Sequence, residues 1–294
     1  MSRKFIGIDI GGTKTRICLI DIEGNILAEE KFPTEAEKGA DVYLNKLEDR
    51  VKFIINNSKS EVEGVGIGSA GQINREGKIV SATNVYHLKG INMKEELEKR
   101  LNLRVEIIND VQAMALGELN FGGHKNIENS FCMAIGTGVG GALIADGKLV
   151  RGKSGSAGEI GHTVLYPNGR KCLCGREGCV EAYLSGESLA RRYKEKFNED
   201  ILGEDIFKID NEKTREIISD YILDLVHELV TLTNLLNPNA IVLGGGVSKS
   251  LEKYRDLIEE KVRERVLPSN KDVDILISQL GSKAMILGAI SQLL

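Results

Sequence analysis

Residues 5–14 read Phe5-Ile-Gly-Ile-Asp9-Ile-Gly11-Gly12-Thr13-Lys14. An isoleucine-rich run stops at two glycines, a hydroxyl and a cation. The run predicts a strand over Phe5–Ile10, since β-branched side chains favour a pleated surface and Gly-Gly ends it. Two further strands, Arg16–Ile20 and Asn25–Lys31, flank an Asp21-Ile-Glu-Gly24 turn, so the chain opens as a meander. About 125 residues later the same order returns: Phe131–Ile135, then Gly136-Thr137-Gly138, Ala142–Ala145, the turn Asp146-Gly147 and Lys148–Arg151. The repeat fits duplication of one unit, although any hairpin with a glycine turn would read this way.

Outward from these two hairpins the pattern is α/β. Apolar spacing predicts helices over Asp41–Asn57, Met93–Leu101, Asp110–Leu119, Thr214–Leu236, Leu251–Val266 and Ala284–Leu293. Strands are expected at Val62–Ile67, Val105–Ile108, Ala240–Leu243 and Val273–Ser278. A length of 294 residues suggests two domains at about 150 residues each. We expect the first over 1–112 and the second over 113–283, with helix 284–294 packing back on the first. Glycine is abundant, 33 residues against 4 prolines, with no three-residue period, which excludes a collagen-like chain. With 41 % apolar and 28 % charged residues the chain is not disordered. A net charge of −4 gives no footprint for nucleic acid, and no apolar run reaches the ~18 residues of a membrane span. The start does not read as a signal peptide, so a cytoplasmic protein is expected.

Two segments match G-x-G-x-x-G, at 66–71 and 136–141, but neither is followed by the helix that a dinucleotide site requires. The Walker phosphate loop is absent too. A tight Gly-Thr turn between strands can instead offer backbone N–H groups and a hydroxyl to phosphate oxygens. Gly11-Gly12-Thr13-Lys14 and Gly136-Thr137-Gly138 fit that use at equivalent places, with Asp9 before the first. Asp110, where a strand gives way to a helix, reads either as an N-cap or as a carboxylate that accepts a hydroxyl proton during phosphoryl transfer. Asn109 beside it suits a sugar hydroxyl, being donor and acceptor. His162, Cys172, Cys174 and Cys179 form a closed one-histidine, three-cysteine set within eighteen residues, the ligand chemistry of structural zinc. Such a site would fix the segments carrying Glu159 and Glu181.

DIGGTK at 9–14, GIGSAG at 66–71, IND at 108–110, AIGTGVGG at 134–141, the glycine-rich run 152–162 and CLCGREGCVE at 172–181 together resemble the ROK family of sugar kinases. The resemblance covers nearly the whole chain in order. It implies an actin-like (ribonuclease H-like) ATPase fold, two α/β domains around a central cleft. It implies transfer of the γ-phosphate of MgATP to a hexose hydroxyl, glucose to glucose 6-phosphate first. The alternatives are N-acetylmannosamine or another N-acetylhexosamine, fructose, or a sugar sensor without catalysis. Asp110 matches the general base. Gly11, Gly12, Thr13 and Lys14, with Asp9 near magnesium, match the first phosphate segment; Gly136, Thr137 and Gly138 match the second. Gly244, Gly245 and Gly246 match a nucleotide-side turn. Gly71, Asn84, Asn109, Asp110, Glu159, His162 and Glu181 match sugar-pocket positions, and His162, Cys172, Cys174 and Cys179 match zinc ligands. The family's repressors carry an N-terminal helix-turn-helix, which is not expected before a strand that begins at Phe5. A homodimer or homotetramer is implied, with no nucleic-acid or membrane partner. Ala70, the stretch VYHLKG after Asn84, the lack of tryptophan and VQAMALGE after Asp110 depart from the commoner pattern and leave the hexose open.

Overall fold

A computed structural model describes residues 3–58, 61–123, 125 and 127–294. They form two compact units: Met1–Asn126 with Leu149–Ala157 and Gln279–Leu294, and Ile127–Lys148 with Gly158–Ser278. Each unit is built on a five-stranded mixed sheet.

In the first unit β1 (Lys4–Ile10), β2 (Lys14–Asp21) and β3 (Ile26–Pro33) form the meander expected from residues 5–31. After α1 (Ala40–Ser58) come β4 (Gly64–Ser69), a small hairpin of β5 (Gln72–Ile73) and β6 (Ile79–Ser81), α2 (Met93–Leu101), β7 (Arg104–Asn109) and α3 (Asp110–Phe121). The sheet order is β3-β2-β1-β4-β7, with β1, β4 and β7 mutually parallel. β1 is buried on both faces, and its alternation sorts two packing partners. Ile6, Ile8 and Ile10 join the cluster that includes Tyr43, Leu44, Leu47 and Val51 of α1. Phe5, on the opposite face, joins Ile286, Leu287 and Ile290. At roughly 1.5–3 kcal/mol per fully buried large side chain, these four residues of β1 contribute several kcal/mol to the unit's core.

The face under α9 (Ala284–Ser291) is lined with glycine. A Cβ on Gly7 would lie 2.8 Å from Ile286, and Gly66 lies against the backbone of Ala289. On the same face, Gly68 meets Ala113 of α3. Side chains here would push both helices off the sheet. Gly66 and Gly68 therefore serve helix packing. α9 and α3 also lie close, with Gly117 and Gly288 at the crossing. That packing puts the whole of α3 in the first unit, beyond the boundary near residue 112 read from the sequence.

The second unit repeats the arrangement. β8 (Ser130–Ile135) and β9 (Val139–Ala145) form an antiparallel hairpin, and β10 (Lys148–Leu149) covers only half of the strand expected to Arg151. α4 (Glu181–Leu184), α5 (Gly186–Phe197), α6 (Glu212–Leu236), β11 (Ala240–Gly244), α7 (Gly246–Leu251), α8 (Arg255–Arg263) and β12 (Asp274–Ile277) follow. The order β10-β9-β8-β11-β12, with β8, β11 and β12 parallel, matches that of the first sheet. The single helix expected over Leu251–Val266 is broken: α7 and α8 are separated by a 3₁₀ turn at Glu252–Tyr254. α5 was not anticipated. No described helix is long and apolar enough to cross a membrane.

Candidate active site

In the first unit the turn between β1 and β2 is closed by the Gly11 N–H donating to the Lys14 carbonyl at 3.1 Å. Its backbone approaches the loop carrying Asn84: a Cβ on Gly12 would sit 2.7 Å from the Asn84 Cβ. The expected phosphate and sugar segments are thus in contact at this point, and glycine is what lets them touch. Asn84 itself is exposed. Asp9 precedes the turn, and burial raises its carboxyl above the usual range against the pull of Arg16 and Lys14.

Asp110 stands at the C-terminal end of β7, where open α/β sheets present ligand-binding groups. It is not the N-cap of α3. Asn109 caps that helix: its Oδ1 accepts from the Val111 N–H at 2.9 Å and the Gln112 N–H at 3.3 Å. Its Nδ2 donates to the Gly71 carbonyl at 3.0 Å, so Gly71 and Asn109 are brought together as framework. The capping duty that sequence reasoning weighed for Asp110 falls one residue earlier. Asp110 uses Oδ1 to accept from Val111 N–H at 2.9 Å. Burial, and to a smaller degree the negative charge of Asp9, push its carboxyl up to about 6. A carboxylate so placed is ionised at neutral pH yet basic enough to take a proton.

In the second unit the β8–β9 turn is held at three points. The Gly136 N–H donates to the Gly138 carbonyl at 2.9 Å, the Gly136 carbonyl accepts from Gly186 N–H at 2.7 Å, and the Val139 N–H donates to Glu181 Oε2 at 3.0 Å. A Cβ on Gly138 would lie 2.5 Å from that carboxylate oxygen. Glu181, expected in a sugar pocket, therefore also clasps the second glycine turn. Gly245 has φ near +90° and lies against the Ile135 backbone, directly before Gly136. Gly244 ends β11 and Gly246 opens α7. Gly186 and its clasp on Gly136 were missed, although Ser185-x-x-Ser188 before Leu189 and Tyr193 is a readable helix start.

The ligand atoms of His162, Cys172, Cys174 and Cys179 all lie within 4.8 Å of one another. Cys174 and Cys179 sulfurs are 3.6 Å apart, and the Cys172 sulfur is 4.0 Å from His162 Nδ1. Four ligands at about 2.3 Å (S) and 2.0 Å (N) from a tetrahedral ion would be separated by about 3.5–3.8 Å. A disulfide would need about 2.05 Å. The donor set and spacing thus fit structural zinc. The loop is shaped by antiparallel bridges Val164–Cys179 and Lys171–Glu177 and by the Cys172 N–H donating to the Arg176 carbonyl at 2.8 Å. Glu181 follows Cys179 by two residues, which ties the cysteine loop to the glycine turn. Glu159 is exposed just before the 3₁₀ turn Ile160–His162, and its carbonyl accepts from His162 N–H at 3.1 Å.

A family model described as "ROK family" matches residues 5–293. A glucokinase of Streptomyces coelicolor is 33 % identical over 97 % of this chain and 95 % of its own. An N-acetylmannosamine kinase of Escherichia coli is 31 % identical over 97 % of this chain and 96 % of its own. Among solved structures, a ROK family glucokinase of Streptomyces griseus in complex with glucose and AMPPNP is 30 % identical, with a TM-score of 0.81, covering 99 % of this chain and 98 % of that one.

Proposed function

Because this chain belongs to the ROK family, with the actin-like fold of its sugar kinases, we propose that it is an ATP-dependent hexose kinase whose general base is Asp110. Glucose is the proposed acceptor and glucose 6-phosphate the product. The observation that carries the reading is the state of Asp110: released from capping by Asn109, at the end of a parallel strand, with its proton affinity raised to about 6. The proton of the sugar O6–H passes to the Asp110 carboxylate as O6 bonds to the γ-phosphorus. The bond from that phosphorus to the β–γ bridging oxygen breaks, and ADP departs with the electron pair. Asp110 then returns its proton to solvent.

The turns Gly11–Lys14 and Gly136–Gly138, with Gly244 and Gly245, are proposed to take the nucleotide's phosphates through backbone N–H groups and the hydroxyls of Thr13 and Thr137. Asp9 is the carboxylate proposed to hold magnesium. Magnesium, when bound, shares the charge of the β- and γ-phosphates. Gly71, Asn84, Asn109, Glu159, His162 and Glu181 are proposed to surround the sugar. His162 would ligate structural zinc through one nitrogen and face a sugar hydroxyl with the other. A cytoplasmic homodimer or homotetramer remains part of the proposal.

The test is a coupled ADP-release assay across glucose, N-acetylmannosamine, fructose and mannose. Turnover that needs both ATP and one of these sugars, and is abolished in Asp110→Ala, is expected. N-acetylmannosamine as the preferred acceptor would replace glucose without changing the chemistry. Normal turnover by Asp110→Ala would overturn the role of Asp110.

A further inference from the structure

We propose that Thr34 is a positioning residue for the turn Gly11–Lys14, the end of a buried relay of hydroxyls running from Tyr43 through Thr15. The inference rests on the kinase reading above, since it concerns the turn proposed to hold phosphate. Thr34 follows the last residue of β3 and is 2 % exposed; Thr15 in β2 and Tyr43 in α1 are 0 % and 2 % exposed. Thr34 grips the turn twice. Its N–H donates to the Thr13 carbonyl at 3.0 Å, and its Oγ1 donates to the Gly11 carbonyl at 2.7 Å.

Those two carbonyls decide where the turn's donors point. In a planar trans peptide the C=O of one residue and the N–H of the next face opposite sides. Holding the Gly11 and Thr13 carbonyls toward Thr34 turns the N–H groups of Gly12 and Lys14 away from it. Those outward amides are what a phosphate oxygen would meet.

The relay has only one consistent direction. Each hydroxyl carries one proton. Thr34 uses its proton on the Gly11 carbonyl, so in the 3.2 Å contact between Thr15 Oγ1 and Thr34 Oγ1 the donor is Thr15. Thr15 then has none left, so in its 2.8 Å contact with the Tyr43 hydroxyl the donor is Tyr43. Protons thus run Tyr43 to Thr15 to Thr34 to Gly11, and each bond polarises the next. The Tyr43 ring is fixed in turn by the edge of His87 at 5.0 Å between centroids. All three side chains are buried behind the turn, so the relay acts through the turn's orientation.

Thr34→Val tests this. It keeps the side-chain shape and the N–H bond to Thr13 and removes only the hydroxyl. MgATP and MgADP affinity is measured by calorimetry, KM for ATP and for sugar by steady-state assay, and folding by thermal melting. Losing one buried bond of about 1–1.5 kcal/mol is a loss of about tenfold in nucleotide affinity. We expect that loss together with a matching rise in KM for ATP, an unchanged KM for sugar, and near-complete rescue by Thr34→Ser. Tyr43→Phe should give the same selectivity at two- to threefold. Unchanged nucleotide affinity in Thr34→Val, or equal losses for both substrates, would overturn the inference while leaving the kinase reading in place. Failure of the unaltered chain to bind either nucleotide would overturn the phosphate-turn reading, and the inference with it. If Thr34→Val does not fold, Tyr43→Phe decides: a selective rise in KM for ATP supports the relay and its absence overturns it.

Discussion

The two glycine turns sit at the same place in two sheets of the same order, yet they are held by different means. In the first unit the Gly11 carbonyl is taken by a side chain, Thr34 Oγ1, from the residue that follows β3. In the second the Gly136 carbonyl is taken by a backbone amide, Gly186 N–H, and the Val139 N–H by the carboxylate of Glu181, which leaves the cysteine loop. The first turn is supported by packed hydroxyls. The second leans on the loop that carries His162, Cys172, Cys174 and Cys179, the residues proposed to hold zinc. The units also differ at the ends of their outer parallel strands. β7 runs into Asn109 and Asp110, whereas β12 runs into Ser278, so only the first unit offers a carboxylate there.

That last difference predicts the largest effect. Asp110→Asn should lower kcat by roughly 10²–10⁴, the range for loss of a general base, measured in the coupled assay. It should also raise thermal stability. The folded-state pKa of Asp110, about 6, lies above the ordinary value of 3.8, so its contribution is favourable below about pH 4 and is lost as pH rises through about 6. At neutral pH the ionised group therefore costs on the order of 1–3 kcal/mol, worth a few degrees in the melting temperature. A slower variant that melts no higher would show that Asp110 is not held under this strain.

Metal removal should separate the two turns. Structural zinc supplies of order 10 kcal/mol to small zinc domains. Chelation, or Cys179→Ser, is expected to raise hydrogen exchange at 136–139 and 172–181 and to cut kcat/KM by more than tenfold. Exchange in β1 and β2 should stay as it was. Equal loosening of both turns, or active protein free of zinc by metal analysis, would dissolve the contrast. A smaller change follows from Glu181→Ala. Leaving the Val139 N–H without its acceptor costs about 1–3 kcal/mol, so kcat/KM should fall by about ten- to a hundredfold for ATP as well as for sugar. A loss confined to the sugar would remove Glu181 from the turn. The mildest effect is with pH. A base titrating near 6 predicts a kcat/KM that halves near pH 6 and falls about tenfold by pH 5, with the limb absent in Asp110→Asn.

Much of the fold was legible because its signals are local. An apolar run stopped by Gly-Gly is a strand and turn wherever it packs, and helix α2 was read to the residue at Met93–Leu101. The cysteine spacing pointed to a metal loop, and the ligand atoms do converge. Other features lay beyond reach because they are made by distant partners. Asp110 and Asn109 are both plausible caps in sequence; only the direction of the Asn109 amide shows which one binds the helix. The break between α7 and α8 was hidden by an apolar spacing that continues through it.

The glycines mark the division most clearly. The sequence alone marked Gly11-Gly12 and Gly136-Thr137-Gly138 as turns, since each interrupts an apolar, β-rich run. It also picked out His162, Cys172, Cys174 and Cys179 as a set whose ligand atoms converge, because ligand chemistry is carried by residue type and spacing. Tertiary structure alone decided that Gly7, Gly66 and Gly68 lie beneath helices, where the missing Cβ lets α9 and α3 close on the sheet. It alone decided that Thr34 after β3, Thr15 of β2 and Tyr43 of α1 meet in one line of hydroxyls behind the first turn. Their separation along the chain carries no trace of that line, because a hydrogen bond between distant residues is set by packing and not by local sequence.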